Sequence, residues 1–159
     1  MPYLPETVDA VLARFPEKAR PLVKPLFDNY KFLFRITLPR RSRLGSYKGV
    51  RAGGRPVIQI NADLKPYTFL LVFLHELAHH VVMINYGRRA KPHGNEWKKS
   101  YREMVQPFFD TDIFPADLTN ELLRYFRKTP ATFHRDTRLI NVLAMAEGGK
   151  PVVTVNDIP

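Results

Sequence analysis

Between Phe69 and Ile84 the chain has no polar face. Phe69, Leu70, Leu71, Val72, Phe73, Leu74, Leu77, Val81, Val82, Met83 and Ile84 fall on every side of a helical wheel. A helix that is apolar all round is a buried one. Tyr67 to Tyr86 contains neither glycine nor proline, Asp63 and Pro66 mark a start, and Gly87 supplies a stop. Upstream, Val8, Val11, Leu12 and Phe15 repeat at helical spacing, which predicts one or two helices over Glu6 to Phe27, interrupted by Pro21 and Pro25. Phe32, Phe34, Ile36 and Leu38 alternate with Leu33, Arg35 and Thr37, the period of a half-buried strand. Strands around Leu44 to Val50 and Val57 to Ile60 follow, joined by a Gly53-Gly54 turn.

Downstream, Trp97, Tyr101, Met104, Val105 and Phe108 form the inward stripe of a second amphipathic helix. Leu118, Leu122, Tyr125 and Phe126 do the same for a third over Pro115 to Lys128. Leu139 to Ala144 and Val152 to Val155 flank Glu147-Gly148-Gly149-Lys150 and predict a hairpin. Together these elements predict an α+β fold, with a small, mainly antiparallel sheet packed on a buried helix. One domain is expected over residues 1–159, with its core at about 30–110 and the outer segments covering it.

Composition narrows the class. Hydrophobic residues make up 45% of the 159, enough for a sizeable core and against global disorder. There is no cysteine, so disulfides and thiolate metal sites are excluded. The longest uncharged apolar run, Phe69 to Leu74, is far short of a membrane span, and three histidines and a glutamate interrupt the helix beyond it. No membrane partner is expected. The opening Met-Pro-Tyr-Leu-Pro-Glu lacks the charged and apolar regions of a secretory signal, which makes the cytoplasm the expected compartment.

The net charge of +10 favours polyanionic partners. Arg40, Arg41, Arg43, Lys48, Arg51 and Arg55 fall between Pro39 and Pro56 without an acidic residue, and interleaved glycines make this read as a flexible basic loop or hairpin. Arg88, Arg89, Lys91, Lys98, Lys99 and Arg102 form a second group. Arg40, Arg41, Arg43, Lys48, Arg51, Arg88, Arg89 and Lys91 are the candidates to hold single- or double-stranded DNA through phosphates, with association to the nucleoid as the consequence. A solvated surface that keeps the protein soluble, or recognition of acidic peptides, accounts for the same charges.

The buried helix carries the chemistry. His75-Glu76-Leu77-Ala78-His79-His80 places His75 and His79 one turn apart on one face. Two imidazoles so placed can share a zinc ion at about 2.0–2.1 Å each. Glu76 lies about 100° round the wheel and can reach a metal-bound water as general base without ligating the metal. A zinc hydrolase usually takes a third protein ligand and keeps one position for water. His93, in Lys91-Pro92-His93-Gly94-Asn95-Glu96-Trp97, enters the second helix where a turn from Gly87 would bring it back to the site, and Gly94 would let the backbone approach. Glu96 is the competing third ligand. His80 should point away from the metal, and His134 reads as surface. Tyr86, Tyr101 and Arg102 are candidates for stabilising an oxyanion.

The His75-Glu76-Leu77-Ala78-His79-His80 helix followed by His93-Gly94-x-x-Trp97 resembles the SprT-like metallopeptidases, the group that includes Spartan. Arg43-Leu44-Gly45-Ser46-Tyr47-Lys48 and Val57-Ile58-Gln59-Ile60-Asn61 are similar to the strands that precede the zinc helix there. The likeness runs from about Phe32 to Phe108. It implies a zincin-like domain, His75, His79 and His93 as ligands of one zinc ion, Glu76 as catalytic base, and proteolysis of DNA-associated or DNA-crosslinked proteins. The chain departs from many members in lacking a cysteine zinc ribbon, so any DNA-targeting role of that module would fall to other residues or a partner. A DNA-binding adaptor with a structural or feebly active metal site is the alternative.

Overall fold

The computed structural model describes residues 3–4, 6–49, 54–109, 112–127 and 136–149. Its strands are β1 (Tyr3–Leu4), β2 (Leu33–Thr37), β3 (Gly45–Lys48) and β4 (Val57–Asn61). Its helices are α1 (Val8–Leu12), α2 (Arg20–Asn29), α3 (Pro66–Tyr86), α4 (Asn95–Phe109), α5 (Ala116–Arg127) and α6 (Thr137–Ala146). The fold is α+β. The sheet runs in the order β1-β2-β4-β3 and is mixed: the outer pairings are antiparallel, while β2 and β4 are parallel, with Ile36 opposite Ile60. Among the described residues β3 pairs with β4 alone and so forms one edge of the sheet.

α3 runs through the core. Phe69 to Ala78 are all buried, as are His80 and Val82, while Ile84 and Tyr86 in the last turn are exposed. The all-round burial read from the sequence therefore stops one turn early. α3 is long and apolar enough to cross a membrane by length and composition, but most of that stretch is buried inside the domain. Phe15, Ala19 and Val23 close one end of this core, and the Phe15 ring meets Phe69 edge-on at 4.9 Å. Leu118, Leu122, Tyr125 and Phe126 of α5 close the other. The core thus reaches beyond residues 30–110 on both sides.

Three expectations are corrected. Pro21 and Pro25 do not interrupt a helix; both lie within α2, Pro21 in the first turn, where its missing N–H would be unsatisfied anyway. Leu139 to Ala144 is not a strand but the body of α6, which buries Leu139, Ile140 and Leu143 at helical spacing behind an Asp136 cap that accepts from Leu139 N at 3.1 Å. Val152 to Val155, the other half of the expected hairpin, lies outside the described residues. Asp63 does not cap α3. Lys65 holds that position without a side-chain capping bond, and the carboxylate of Glu147, 80 residues after Tyr67, receives Tyr67 N at 2.5 Å and the Thr68 hydroxyl at 2.8 Å. An anionic group there matches the positive end of the helix dipole.

Two glycines of the basic segment, Gly45 and Gly49, serve close contact rather than flexibility. Gly45, Tyr47 and Gly49 alternate onto the α3 side of β3. A Cβ on Gly45 would meet Val72 Cγ1 at 2.6 Å and Glu76 Cγ at 3.3 Å, and one on Gly49 would meet Met83 Cε at 3.0 Å. The backbone therefore comes directly against Val72 and Glu76 of α3 at Gly45 and against Met83 at Gly49. Gly45→Ala is expected to force the two elements apart at a cost of about 1–3 kcal/mol, read as a lower thermal midpoint. An unchanged midpoint would show that the strand can slide without loss.

Candidate metal centre and cleft

Ring nitrogens of His75, His79 and His93 all lie within 4.8 Å of one another. His93 Nε2 lies 3.1 Å from His79 Nε2 and 3.2 Å from His75 Nε2. Nitrogens bound tetrahedrally to one ion at about 2.0–2.1 Å sit about 3.3–3.4 Å apart, so the spacing fits a shared metal ion with little movement. The donor set fits as well, since a cluster of neutral imidazole nitrogens is a ligand set for divalent transition metals. Burial, together with the neighbouring His93, pulls the His79 pKa down to about 4, which keeps that ring neutral and ready to ligate.

Each element contributes for a local reason. His75 and His79 come from adjacent turns of α3. The chain leaves α3 through Gly87 at φ 64° and tightens into a turn in which Gly94 N donates to Lys91 O at 3.0 Å. His93 holds a left-handed φ of 58°, which turns its ring back towards α3. Gly94 is small for the sake of this turn, not of the metal, because a Cβ there would meet Lys91 O at 3.0 Å. Glu96, the competing ligand, is not part of the cluster.

Trp97 is the platform beneath all three. Its ring centroid lies 4.6 Å from that of His75, 5.4 Å from His79 and 4.5 Å from His93, and its Nε1 donates to His75 O at 3.2 Å. The sequence marked Trp97 as part of an inward stripe; only the packing shows that it supports the triad.

Glu76 is 7% exposed, with Oε2 4.0 Å from His75 Nε2. Burial raises its pKa to about 8, against the opposing charges of Arg40 and Arg43. Above these groups opens a cleft of about 720 Å³. One lip is the segment from Ser42 to Gly49, including β3; the other runs from Gly87 to His93.

The remaining candidates separate. Arg40 is turned inward, donating to Asn61 Oδ1 at 2.9 Å, Ser46 Oγ at 3.1 Å and Gln59 Oε1 at 3.3 Å. Asn61 in turn donates to the carbonyls of Arg40 and Arg43, which pins the loop that carries Arg43 to the cleft wall. Arg41, Arg43, Lys48, Arg88, Arg89 and Lys91 are exposed; Arg51 and His134 lie outside the described residues. Of the oxyanion candidates, Tyr101 is bound to Leu71 O at 3.0 Å and Arg102 to Phe126 O at 2.8 Å, while Tyr86 is exposed and does not line the cleft. His80 faces away from the triad, as expected, and is buried: its Nδ1 lies 2.7 Å from the Tyr47 hydroxyl. Burial pushes Tyr47 up to about 12, so the phenol keeps its proton and shares a hydrogen bond with His80 Nδ1.

No curated protein and no solved structure matches the chain. Residues 21–119, more than half of the 159, match the SprT-like family profile, and within that span fall α3, the triad and both lips of the cleft. The chain belongs to the SprT-like family.

Proposed function

We propose that this protein is a zinc-dependent endopeptidase of zincin-like fold, acting in the cytoplasm on DNA-associated or DNA-crosslinked proteins. The observation that carries the reading is the triad itself: three histidine nitrogens within 4.8 Å of one another beside a buried glutamate, at the base of an open cleft. His75, His79 and His93 would hold the ion, which when bound polarises a carbonyl and acidifies water. Glu76 accepts the proton of the attacking water at its carboxylate and returns it to the leaving amine. A pKa raised towards neutrality suits both halves of that transfer.

Substrate is presented by β3. Its free edge borders the cleft beside His79, so an extended segment can add to the sheet there by backbone hydrogen bonds. A structural metal site closes with four protein ligands, whereas three histidines facing a cleft leave a position open. That favours an enzyme over an adaptor.

DNA is the proposed second partner. Arg43 on one lip and Arg88 and Lys91 on the other line the cleft as exposed cations, and Arg41, Lys48 and Arg89 are exposed close to them in the chain. The test is zinc-loaded protein with an unfolded DNA-binding protein as substrate, with and without single-stranded DNA and over a range of salt. Zinc-dependent cleavage that rises with DNA and falls with salt is expected. Salt-dependent DNA binding without any cleavage would replace the enzyme by the adaptor.

A further inference from the structure

We propose that Tyr47 and His80 lock the free edge of β3 in place against α3, which makes both of them positioning residues for the substrate strand. The proposal rests on the peptidase reading of the cleft.

β3 is four residues long and has one strand neighbour among the described residues, β4. Short edge strands fray unless something else holds them. On the α3 side, Gly45 and Gly49 give close approach but no side chain, so Tyr47 is the one residue of that stripe that can anchor the strand. Its hydroxyl reaches His80 Nδ1 at 2.7 Å. His80 is 3% exposed, with the rings of Phe32 at 5.8 Å and Tyr30 at 6.3 Å.

A buried imidazole in an otherwise apolar position costs free energy that a leucine would not. The bond to Tyr47 satisfies Nδ1 and so offsets part of that cost. It also joins two parts of the reaction. His80 follows the metal-ligand candidate His79 on α3, and the Tyr47 ring lies within 11° of parallel to the His79 ring. A shift of Tyr47 therefore moves the strand edge relative to the triad. The ladder to β4 sets the height of β3, and the Tyr47–His80 bond sets its distance from α3 and so from the histidine triad.

Tyr47→Phe tests this, because it keeps the ring and removes only the hydroxyl. Two readouts are taken on zinc-loaded protein: amide hydrogen exchange over residues 45–48, and cleavage of labelled unfolded casein against that of a tripeptide amide too short to pair with the strand. Exchange in β3 should quicken roughly three- to ten-fold. KM for casein should rise by a similar factor, with kcat, tripeptide cleavage and zinc content unchanged. Unchanged exchange, or a fall in kcat on both substrates alike, overturns the proposal. If the wild type cleaves neither substrate, the peptidase reading falls, and exchange alone decides whether the lock exists.

Discussion

Glu76→Gln is expected to retain zinc at wild-type stoichiometry and to lose cleavage by about 10²–10⁴-fold, the usual contribution of a positioned proton-transfer group. The substitution preserves shape at a site only 7% exposed, so the core around Val72, Gly45 and His75 has no reason to rearrange. Glu76 is not one of the three converging nitrogen donors, and metal affinity should be nearly unaffected. Stability supplies a second, independent readout in metal-free protein. The folded carboxyl titrates near 8, above its ordinary 4.5, so the folded state binds more protons than the unfolded state between those values. Stability of the metal-free wild type should then fall as pH rises through that window, and the glutamine variant should lack this component. Zinc analysis, kcat/KM and thermal midpoints at several pH values check each part. A zinc-loaded variant that still cleaves within tenfold of wild type would remove Glu76 from the mechanism.

The parts of this fold that could be read from the sequence are those set by a local pattern. α3 announced itself by apolar residues all round the wheel, and His75 with His79 followed from helical spacing alone. α4 and α5 were visible as stripes, of which Trp97, Tyr101, Val105, Phe108, Leu118, Leu122, Tyr125 and Phe126 are buried as expected. What escaped depends on partners distant in the chain. Nothing near Lys65 signals that Glu147 will cap α3, because the two meet only after α6 has docked. Gly45 and Gly49 look like flexibility until the helix that presses on them is in view. Arg40 and Arg43 are indistinguishable as letters, yet the Asn61 network takes the first inward and carries the second to the cleft. The sequence Leu139-Ile140-Asn141-Val142-Leu143-Ala144 suits a strand by residue type, and it becomes a helix because α5 offers a face that takes every third or fourth residue.

His93→Gly should abolish most of the stabilisation that zinc confers while leaving the metal-free protein at least as stable as wild type. Two effects of the same substitution separate here. The left-handed φ of 58° is strained for histidine and free for glycine, so the backbone of the turn is relieved. The lost imidazole leaves two protein ligands on α3. Removing even an outer partner of a metal site weakens binding by about 10–100-fold, and removing a ligand should cost no less. Zinc at a hundred times its dissociation constant stabilises the folded state by about 2.7 kcal/mol, or roughly 5–10 °C in thermal midpoint for a chain of this size. With affinity a hundredfold weaker, the same zinc concentration leaves only about 0.4 kcal/mol, close to the limit of detection. Glu96→Gln is the companion variant. Glu96 stands outside the cluster, so its zinc-induced shift should equal that of wild type. A full shift in His93→Gly together with a lost shift in Glu96→Gln would move the third ligand onto α4 and take the histidine triad apart.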